Sequence, residues 1–291
     1  MARSDLPSVL VGLIGEGIQR SHSPLLHQRE ADRQGVRLIY KVIDATEHRL
    51  VAGDLPDLLR WARRLGYRGL NVTHPFKQEI VAHLDEMSDE ARLLGAVNTL
   101  VFEEGRTVGY NTDLSGFERS FRLSFASVPR QRVVQIGAGG AGVAVAHALL
   151  RLGVRQLTLF DLTTTKAVRL AEILADEFGR DRVTTGGTGE VSAALAGADG
   201  LVNATPIGMA QHPGTPVRVS DLRPDLWVAD IVYRPAETPL LQAARSVGAS
   251  TLPGGGMSVY QAVAAYEHFT GRTADADAML ADSAELLASG F

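Results

Sequence analysis

The stretch 71–77, NVTHPFK, holds the side chains best placed for chemistry in this sequence. It begins as the end of an apolar strand, and Pro75 then interrupts the strand because proline donates no backbone hydrogen bond. The apolar residues of 77–84, KQEIVAHL, return with helical spacing, so we expect Lys77 to open a helix just past the carboxyl end of a strand. In open α/β sheets that edge is where ligands bind.

An amine at that position is suited to proton transfer. The positive end of a helix dipole opposes the charged form of a lysine, and a proton acceptor has to be uncharged before it acts. A solvated surface position is the more common role of a lone lysine. The neighbouring Asn71, Thr73 and Pro75 favour a functional role for Lys77 without deciding it.

A pair of serines forms a second candidate. Ser21 and Ser23 precede a predicted helix over 25–34, with Pro24 at its first position. Two hydroxyls at the start of a helix can hold an anion together with backbone N–H groups. The alternative for Ser23 is that it simply caps this helix. Ser21 has no capping role in that arrangement.

A glycine-rich turn is the third candidate. Residues 137–142, GAGGAG, directly follow the apolar run 132–136, and a helical pattern comes next. Strand, GxGxxG and helix are the order that a dinucleotide fold requires. The next strand, 156–160, ends at Asp161, nineteen residues beyond Gly142, where a ribose-binding acid belongs. A glycine turn without a ligand is the alternative, and the position of Asp161 argues against it.

Alternating strands and helices position these candidates and predict an α/β fold class. The Gly254-Gly255-Gly256 run before the last pair of helices allows close approach of backbone and ligand, or serves as a linker. The predicted strands are 9–15, 38–43, 69–72, 95–101, 108–113, 132–136, 156–160, 182–184, 200–204 and 227–232, and the predicted helices are 25–34, 50–65, 91–95, 143–152, 164–178, 239–247, 257–269 and 274–291.

Composition narrows the function classes. The 291 residues suffice for one very large domain or two ordinary ones, and a mixed charge with a net of −4 favours neither a nucleic-acid nor a membrane partner. The absence of cysteine excludes disulfides, thiolate metal sites and cysteine nucleophiles, and no H-E-x-x-H pattern suggests zinc. The apolar run 9–14 is too short for a signal or membrane segment, so we expect a soluble cytoplasmic protein without a metal.

Taken together, these motifs resemble the shikimate dehydrogenase family nearly end to end. Asp161, where the NADP-using biosynthetic members have an Asn-Arg-Thr pattern, resembles the NAD-dependent quinate/shikimate branch, as does His74 beside Pro75. Ser23 is closer to the plain shikimate pattern, because some quinate-using relatives have threonine there. The resemblance is carried by 21–24 (SHSP), 71–77, 95–99 (GAVNT), 111–113 (NTD), 137–142, 203–209 (NATPIGM), and Gly256-Met257 with Gln261.

The resemblance implies two domains and an activity. Residues 1–113, completed by the C-terminal helices of 257–291, would form an α/β substrate domain. Residues 114–256 would form a Rossmann-type, doubly wound NAD-binding domain, with the active site in the cleft between the two. The implied reaction is the reversible, NAD-dependent oxidation of shikimate to 3-dehydroshikimate, and also of quinate to 3-dehydroquinate, by a monomer or homodimer.

The resemblance also assigns residues by position. Lys77 and Asp113 would be the proton-transfer pair, although an aspartate at a strand end can equally be a turn former. Ser21 and Ser23 would bind the substrate carboxylate with help from Tyr233. The ring hydroxyls would be held by Asn71, Thr73, Asn98, Asp113 and Gln261. Cofactor binding would fall to Gly137, Ala138, Gly139, Gly140, Ala141, Gly142, Asp161, Lys166, Thr205, Met209, Val232, Gly255 and Met257.

Two other interpretations stay open. Dehydrogenases of aminoshikimate or aminoquinate share the same motifs. A dinucleotide-sensing protein that binds cofactor and metabolite without turnover is an alternative from another functional class. Lys77 and Asp113 argue against the sensor, because a protein that only binds its ligands needs no proton-transfer pair.

Overall fold

The computed structural model describes residues 8–289, which divide into two compact units. Unit 1 comprises the described residues up to Thr112 and those from Val259 onward, and unit 2 spans Asp113–Ser258. Within the described residues, no helix is long and apolar enough to cross a membrane. That these units carry separate substrate and cofactor functions stays a prediction.

Twelve strands and eleven α-helices make up the described part of the chain. The strands are β1 (Ser8–Gly15), β2 (Arg37–Asp44), β3 (Gly69–Val72), β4 (Glu86–Met87), β5 (Thr99–Glu103), β6 (Arg106–Tyr110), β7 (Arg132–Ile136), β8 (Gln156–Phe160), β9 (Val183–Thr185), β10 (Gly200–Asn203), β11 (Trp227–Asp230) and β12 (Thr251–Pro253). The helices are α1 (Ser23–Arg33), α2 (Ala45–His48), α3 (Leu55–Arg64), α4 (Asp89–Leu94), α5 (Thr112–Ser124), α6 (Gly140–Arg151), α7 (Thr164–Phe178), α8 (Val191–Ala196), α9 (Pro239–Ser246), α10 (Gly255–Thr270) and α11 (Ala276–Ala288).

Unit 1 is built on a mixed sheet with the strand order β2-β1-β3-β5-β6-β4. β1 lies parallel to β2 and β3, whereas β5 runs antiparallel to both of its neighbours. One apolar cluster joins this sheet to α1, α10 and α11, and a second joins it to α3 and the segment before α4. Arg29 and Arg33 of α1 both form ion pairs with Asp282 of α11, at 3.0 and 2.8 Å. The C-terminal helices are therefore part of the core of unit 1.

Unit 2 is a six-stranded parallel sheet with the order β12-β11-β10-β7-β8-β9. Counted from β7, this is the order 6-5-4-1-2-3 of a doubly wound dinucleotide fold. Its central strands β7, β10 and β11 are mostly apolar and almost entirely buried, as expected for strands covered on both faces. The predicted α/β class is confirmed, including the Rossmann-type topology of this unit.

Several predicted boundaries are wrong, and each error has a local cause. The helix predicted over 50–65 begins only at Leu55, after a 3-10 turn at Ala52–Asp54, with Pro56 in its first turn. The strand predicted over 95–101 begins at Thr99, because Gly95 ends α4 with φ of 57° and turns the chain first. The helices α2, α5 and α8 and the strands β4 and β12 were not predicted.

Candidate active site

The loop that carries Lys77 is anchored at three points within unit 1. The N–H of Thr73 donates to the carbonyl of Ile14 at 2.9 Å, and the side chain of Phe76 is buried in the core. The carbonyl of Lys77 accepts from the N–H of Val97 at 2.8 Å. The backbone that supports the half-buried Lys77 side chain is thus fixed from both ends.

The expected helix starting at Lys77 is wrong. Lys77 lies in a turn, and only a 3-10 helix over Glu79–His83 comes after it. The apolar spacing that suggested an α-helix instead reflects Ile80, whose side chain is buried in the same cluster as Phe76. No helix dipole therefore acts on Lys77. Only its position in the loop after β3 still favours a functional role.

A buried array of amides and hydroxyls lies next to this loop in unit 1. Asn71 Nδ2 donates to the Thr99 hydroxyl at 3.0 Å. That hydroxyl donates to Oδ1 of Asn98 at 3.1 Å. Asn98 then makes two contacts to Thr112, accepting from its N–H at 2.9 Å and donating to its hydroxyl at 3.0 Å. All four residues are at most 6% exposed, so the array is preorganised and shielded from bulk water.

Asn111 and the predicted site residues Asp113, Gln261 and Tyr233 lie outside this array. Asn111 donates to the carbonyl of Ala96 at 3.0 Å, which ties the end of β6 to the turn before β5. Asp113 lies in the first turn of α5 and is 6% exposed. Gln261 lies half-buried in α10 of unit 1, and Tyr233 of unit 2 is 36% exposed.

The two serines lie together at the start of α1, and the interpretation of Ser23 as the N-cap is wrong. The N-cap of α1 is His22, which makes no side-chain capping bond, and Ser23 is the first helical residue. Ser21 Oγ accepts from the N–H of Ser23 at 3.3 Å and lies 3.2 Å from the Ser23 hydroxyl. Both hydroxyls therefore converge at the start of α1, an arrangement able to hold an oxyanion.

The glycine turn of unit 2 has the geometry of a phosphate cradle. Gly137 has φ of 104°, and a side chain there would lie 2.6 Å from the carbonyl oxygen of Ala204. At Gly142 a side chain would collide with the Gly137 carbonyl, so β7 and α6 approach closely. A side chain at Gly139 would meet no protein atom within 4 Å. The protein itself does not require glycine there, but a ligand approaching the backbone does.

Two side chains hold the ends of this turn. Gln135, in the interior of β7, donates from Nε2 to the carbonyls of Gly137 and Gly142, both at 2.8 Å. Asp161 accepts from the N–H of Ala138 at 2.8 Å with one oxygen and from the N–H of Thr163 at 2.8 Å with the other. Each carboxylate oxygen retains a lone pair, so the residue can still accept from a ribose hydroxyl. The turn fits a dinucleotide.

A buried aspartate organises the remaining predicted cofactor loops. Asp230 ends β11 and is 1% exposed. Its Oδ1 accepts from Asn203 Nδ2 at 2.9 Å and from the N–H of Val232 at 3.0 Å, and its Oδ2 accepts from the Thr238 hydroxyl at 2.7 Å. Burial raises the pKa of Asp230, and these three donors oppose that shift.

Asn203 also fixes the loop after β10 by hydrogen bonds. Its Oδ1 accepts from the N–H and the hydroxyl of Thr205, at 3.1 and 2.6 Å, and its Nδ2 also donates to the Ile207 carbonyl at 2.9 Å. The N–H of Met209 is bonded to the carbonyl of Pro206. The predicted cofactor residues Thr205, Met209 and Val232 are therefore all fixed by one buried amide–carboxylate pair or by the loop it closes.

Comparison with known proteins decides the family. The family model described as the shikimate dehydrogenase substrate binding domain matches residues 13–100, and that of the shikimate 5'-dehydrogenase C-terminal domain matches residues 254–281. A protein of Streptomyces avermitilis named shikimate dehydrogenase (NADP(+)) is 52% identical over 96% of both chains. This chain belongs to the shikimate dehydrogenase family.

Other relatives in the shikimate dehydrogenase family differ in their cofactor. A protein of Corynebacterium glutamicum named quinate/shikimate dehydrogenase (NAD(+)) is 46% identical over 94% of this chain and 96% of its own. The solved structure of quinate dehydrogenase from the same species in complex with NAD aligns with a TM-score of 0.91 and 45% identity, over 97% of this chain and 99% of that one. Family membership therefore leaves the choice between NAD and NADP to the residues of the site.

Within this family framework, the structure places the predicted residues in three described groups. Unit 1 brings Asn71 and Asn98 into one array and holds the Lys77 loop beside the same strands. Ser21 and Ser23 converge separately at the start of α1. In unit 2 the glycine turn and Asp161 are joined directly, whereas Lys166 is an exposed residue of α7. Among residues 8–289, no group of three or more acidic, histidine or cysteine side chains is arranged to hold a metal ion.

Three residues that organise the site were missed from the sequence, and a fourth, Asn203, was quoted in the 203–209 motif without a role. Tyr40, Gln135, Asn203 and Asp230 are all buried within strands or at strand ends. The available signal was a polar residue inside an otherwise apolar strand, as in the run RVVQI of β7 and WVAD of β11. Such residues are buried only when they are hydrogen-bonded, so each one indicates a bonding partner elsewhere in the fold.

Proposed function

We propose that this protein is an NAD-dependent dehydrogenase that interconverts shikimate and 3-dehydroshikimate, and also quinate and 3-dehydroquinate. The observation that carries the substrate class is the buried array of Asn71, Thr99, Asn98 and Thr112. A carboxylated ring with several hydroxyls needs fixed polar partners that water does not displace. A site of this kind discriminates strongly for hydroxyls, because a missing one leaves a buried group unpaired.

In the proposed mechanism Lys77 takes the proton from the reacting hydroxyl, and Asp113 is its carboxylate partner. Oxidising a secondary alcohol requires a base for this proton, and the bound nicotinamide ring supplies the hydride acceptor. Lysine suits the role because its amine can lose a proton, whereas arginine cannot. Only three of the 29 lysine and arginine residues are lysines, so Lys77 stands out against an arginine-rich background.

The preference for NAD rests on the residues around Asp161. The phosphate of NADP would replace a ribose hydroxyl that donates to this carboxylate and would set like charges at short range. The next residue, Leu162, is 89% exposed and offers no positive charge to a phosphate. Lys166 is a point charge on a flexible stem, without the planar fork of an arginine. We expect NAD to be preferred about a hundredfold in kcat/KM, which corresponds to about 3 kcal/mol.

Steady-state kinetics test the proposal directly. Wild-type kcat/KM is measured with shikimate and with quinate, each on NAD and on NADP. The variant Lys77→Met should lower kcat about a hundredfold or more, the usual contribution of a general base, and leave NAD binding intact. Lys41→Met is the matched control, because Lys41 is an exposed residue of the edge strand β2.

Two results would contradict parts of this proposal. Near-normal kcat with a raised KM for shikimate in Lys77→Met would make Lys77 a binding residue rather than the base. A wild-type ratio of NAD to NADP efficiency near one, or below it, would overturn the role given to Asp161.

A further inference from the structure

Tyr40 occupies a junction between two groups of predicted substrate residues in unit 1. It lies on β2, is 7% exposed, and donates its phenol hydrogen to Oδ1 of Asn71 at 2.7 Å. The Ser23 side chain lies beside the phenol and opposes the rise that burial causes in the pKa of Tyr40. Neither the sequence motifs nor the proposed mechanism above assigns any function to this tyrosine.

The contacts continue on both sides of the phenol. Beyond Asn71 lies the buried array that ends at Thr112, the residue before Asp113. Beyond Ser23 lies Ser21, 3.2 Å away between the two hydroxyl oxygens. The Tyr40 phenol is therefore bonded to the amide array on one side and lies beside the serine pair on the other.

The Tyr40 ring is held in this position by the residues packed around it. Tyr40 is paired with Val11 of β1, and its ring packs against that of His27, with centroids 5.0 Å apart. Both belong to or contact the apolar cluster under α1 and α10. Burial raises the pKa of Tyr40 further above its ordinary value, so the phenol is a neutral hydrogen-bond donor throughout the working pH range.

An ordinary core tyrosine that merely needs a partner for its hydroxyl is the simpler explanation. Tyr266 shows that this cluster does not impose such a need. It is fully buried in the same cluster, and among the described residues its phenol oxygen has no hydrogen bond of ordinary geometry; burial raises its pKa, and the nearby Thr270 side chain opposes that rise. Tyr40 differs in that it donates to Asn71 and lies beside Ser23, two residues of the predicted substrate site.

We propose that Tyr40 is a positioning residue that sets the Ser23 hydroxyl and the Asn71 amide at a fixed separation for the carboxylate end and the hydroxylated ring of the substrate. This inference rests on the proposed function. Removing the phenol oxygen leaves Asn71 Oδ1 buried without its donor, so the amide is held only through the bonds of its Nδ2. Substrate binding suffers, whereas the cofactor contacts in unit 2 involve none of these atoms.

The test is the variant Tyr40→Phe, with Tyr266→Phe as the matched control. Each removes one buried phenol oxygen from the same cluster and nothing else. Tyr40→Phe should raise the KM for shikimate about tenfold, the effect of disturbing one buried hydrogen bond, and leave the KM for NAD unchanged. Tyr266→Phe should change neither KM. Thermal midpoints are measured first, and all kinetics are run well below the lowest of them, so that only folded protein is compared.

A double-mutant cycle tests the link to the serine pair. If Tyr40 acts through Ser23, the effects of Tyr40→Phe and Ser23→Ala on the KM for shikimate should combine to clearly less than their product. Independent multiplication would overturn that link. An unchanged KM for shikimate in Tyr40→Phe, or equal increases for shikimate and NAD, would overturn the positioning role as a whole.

Failure of the proposed function gives a different result. A wild type without turnover on either shikimate or quinate contradicts that function before any variant is made. A wild type with turnover and a Tyr40→Phe variant indistinguishable from Tyr266→Phe contradicts only the role of Tyr40.

Discussion

Replacing Asn203 by aspartate should make the cofactor loop of unit 2 dependent on pH. In the native protein Asn203 Nδ2 donates to Asp230 Oδ1 at 2.9 Å, and the two residues are at most 1% exposed. Asn203→Asp replaces this donor with a second carboxylate of the same size. Two carboxylates at this distance cannot both be ionised without a large cost, so the pair should share one proton at low pH.

The size of the change in proton affinity follows from the distance between the two carboxylates. Two like charges about 4 Å apart repel by about 4 kcal/mol at an effective dielectric constant of about 20. That energy equals about a thousandfold in proton affinity, so the pair should retain one proton up to about pH 7. Burial already raises the pKa of Asp230 before the second carboxylate is added, which acts in the same direction.

Cofactor binding by the Asn203→Asp variant should weaken as the pH rises. A carboxyl whose pKa is raised in the folded state stabilises that state below this pKa, and the contribution is lost as the pH rises through it. At about pH 6 the shared proton restores a bond between residues 203 and 230. At about pH 8.5 both carboxylates are charged, Thr205 and Val232 lose their fixed positions, and the KM for NAD should rise by a further tenfold or so.

The assay is the ratio of the variant's KM for NAD to that of the wild type, from about pH 5.5 to about pH 8.5, with thermal midpoints at each pH. Asn203→Ala is the control, because it removes the same amide without adding a charge. Its ratio should be raised but flat. A flat ratio for Asn203→Asp, or the same slope in Asn203→Ala, would refute the reasoning.

Three further outcomes are expected from the site and the core beside it. Ser21→Ala should weaken shikimate binding by about 1–3 kcal/mol, the cost of an unpaired carboxylate oxygen, with NAD affinity unchanged; equal losses would mean a structural role. Asp161→Asn combined with Leu162→Arg should shift the ratio of kcat/KM values toward NADP, since an arginine can hold a phosphate bidentately, and an unchanged ratio would contradict this. Burial lowers the pKa of His27 to about 4, so the free energy of unfolding should fall by about 1.4 kcal/mol per pH unit from about pH 6.5 to about pH 4, and denaturant titrations of His27→Phe should lack this slope.

Much of the architecture could be predicted from the sequence because the signals for strands, turns and helices are local. The strand, glycine turn and helix of 132–151 require only contiguous residues, and so does the period of each apolar helix. The same local rule produced the error at Lys77, where the spacing of Ile80, Val81 and Leu84 resembled a helix. Burial of Ile80 under β3 satisfies that pattern with a single 3-10 turn.

The interactions that organise the site were inaccessible to the same reasoning because they join distant segments. Tyr40 and Asn71 are 31 residues apart, and Asn203 and Asp230 are 27 apart. Asparagine near a strand end usually predicts a turn, since its side chain can bond to its own backbone. Asn203 does make those local bonds to Thr205, but its other face bonds to β11, and only the fold reveals that second function.

Both units use a buried asparagine to fix a polar loop at the end of a strand. Asn71 lies near the end of β3 ahead of the Lys77 loop, and Asn203 ends β10 ahead of the loop containing Met209. A carboxamide presents a donor and an acceptor at once, so a single buried residue can bond in both directions without burying a charge. The partners of the two amides differ: Asn71 accepts from the neutral phenol of Tyr40, and Asn203 donates to the carboxylate of Asp230. Asp230 receives three donors in all, as the burial of a carboxylate requires, whereas a neutral phenol is satisfied by the one acceptor it finds at Asn71.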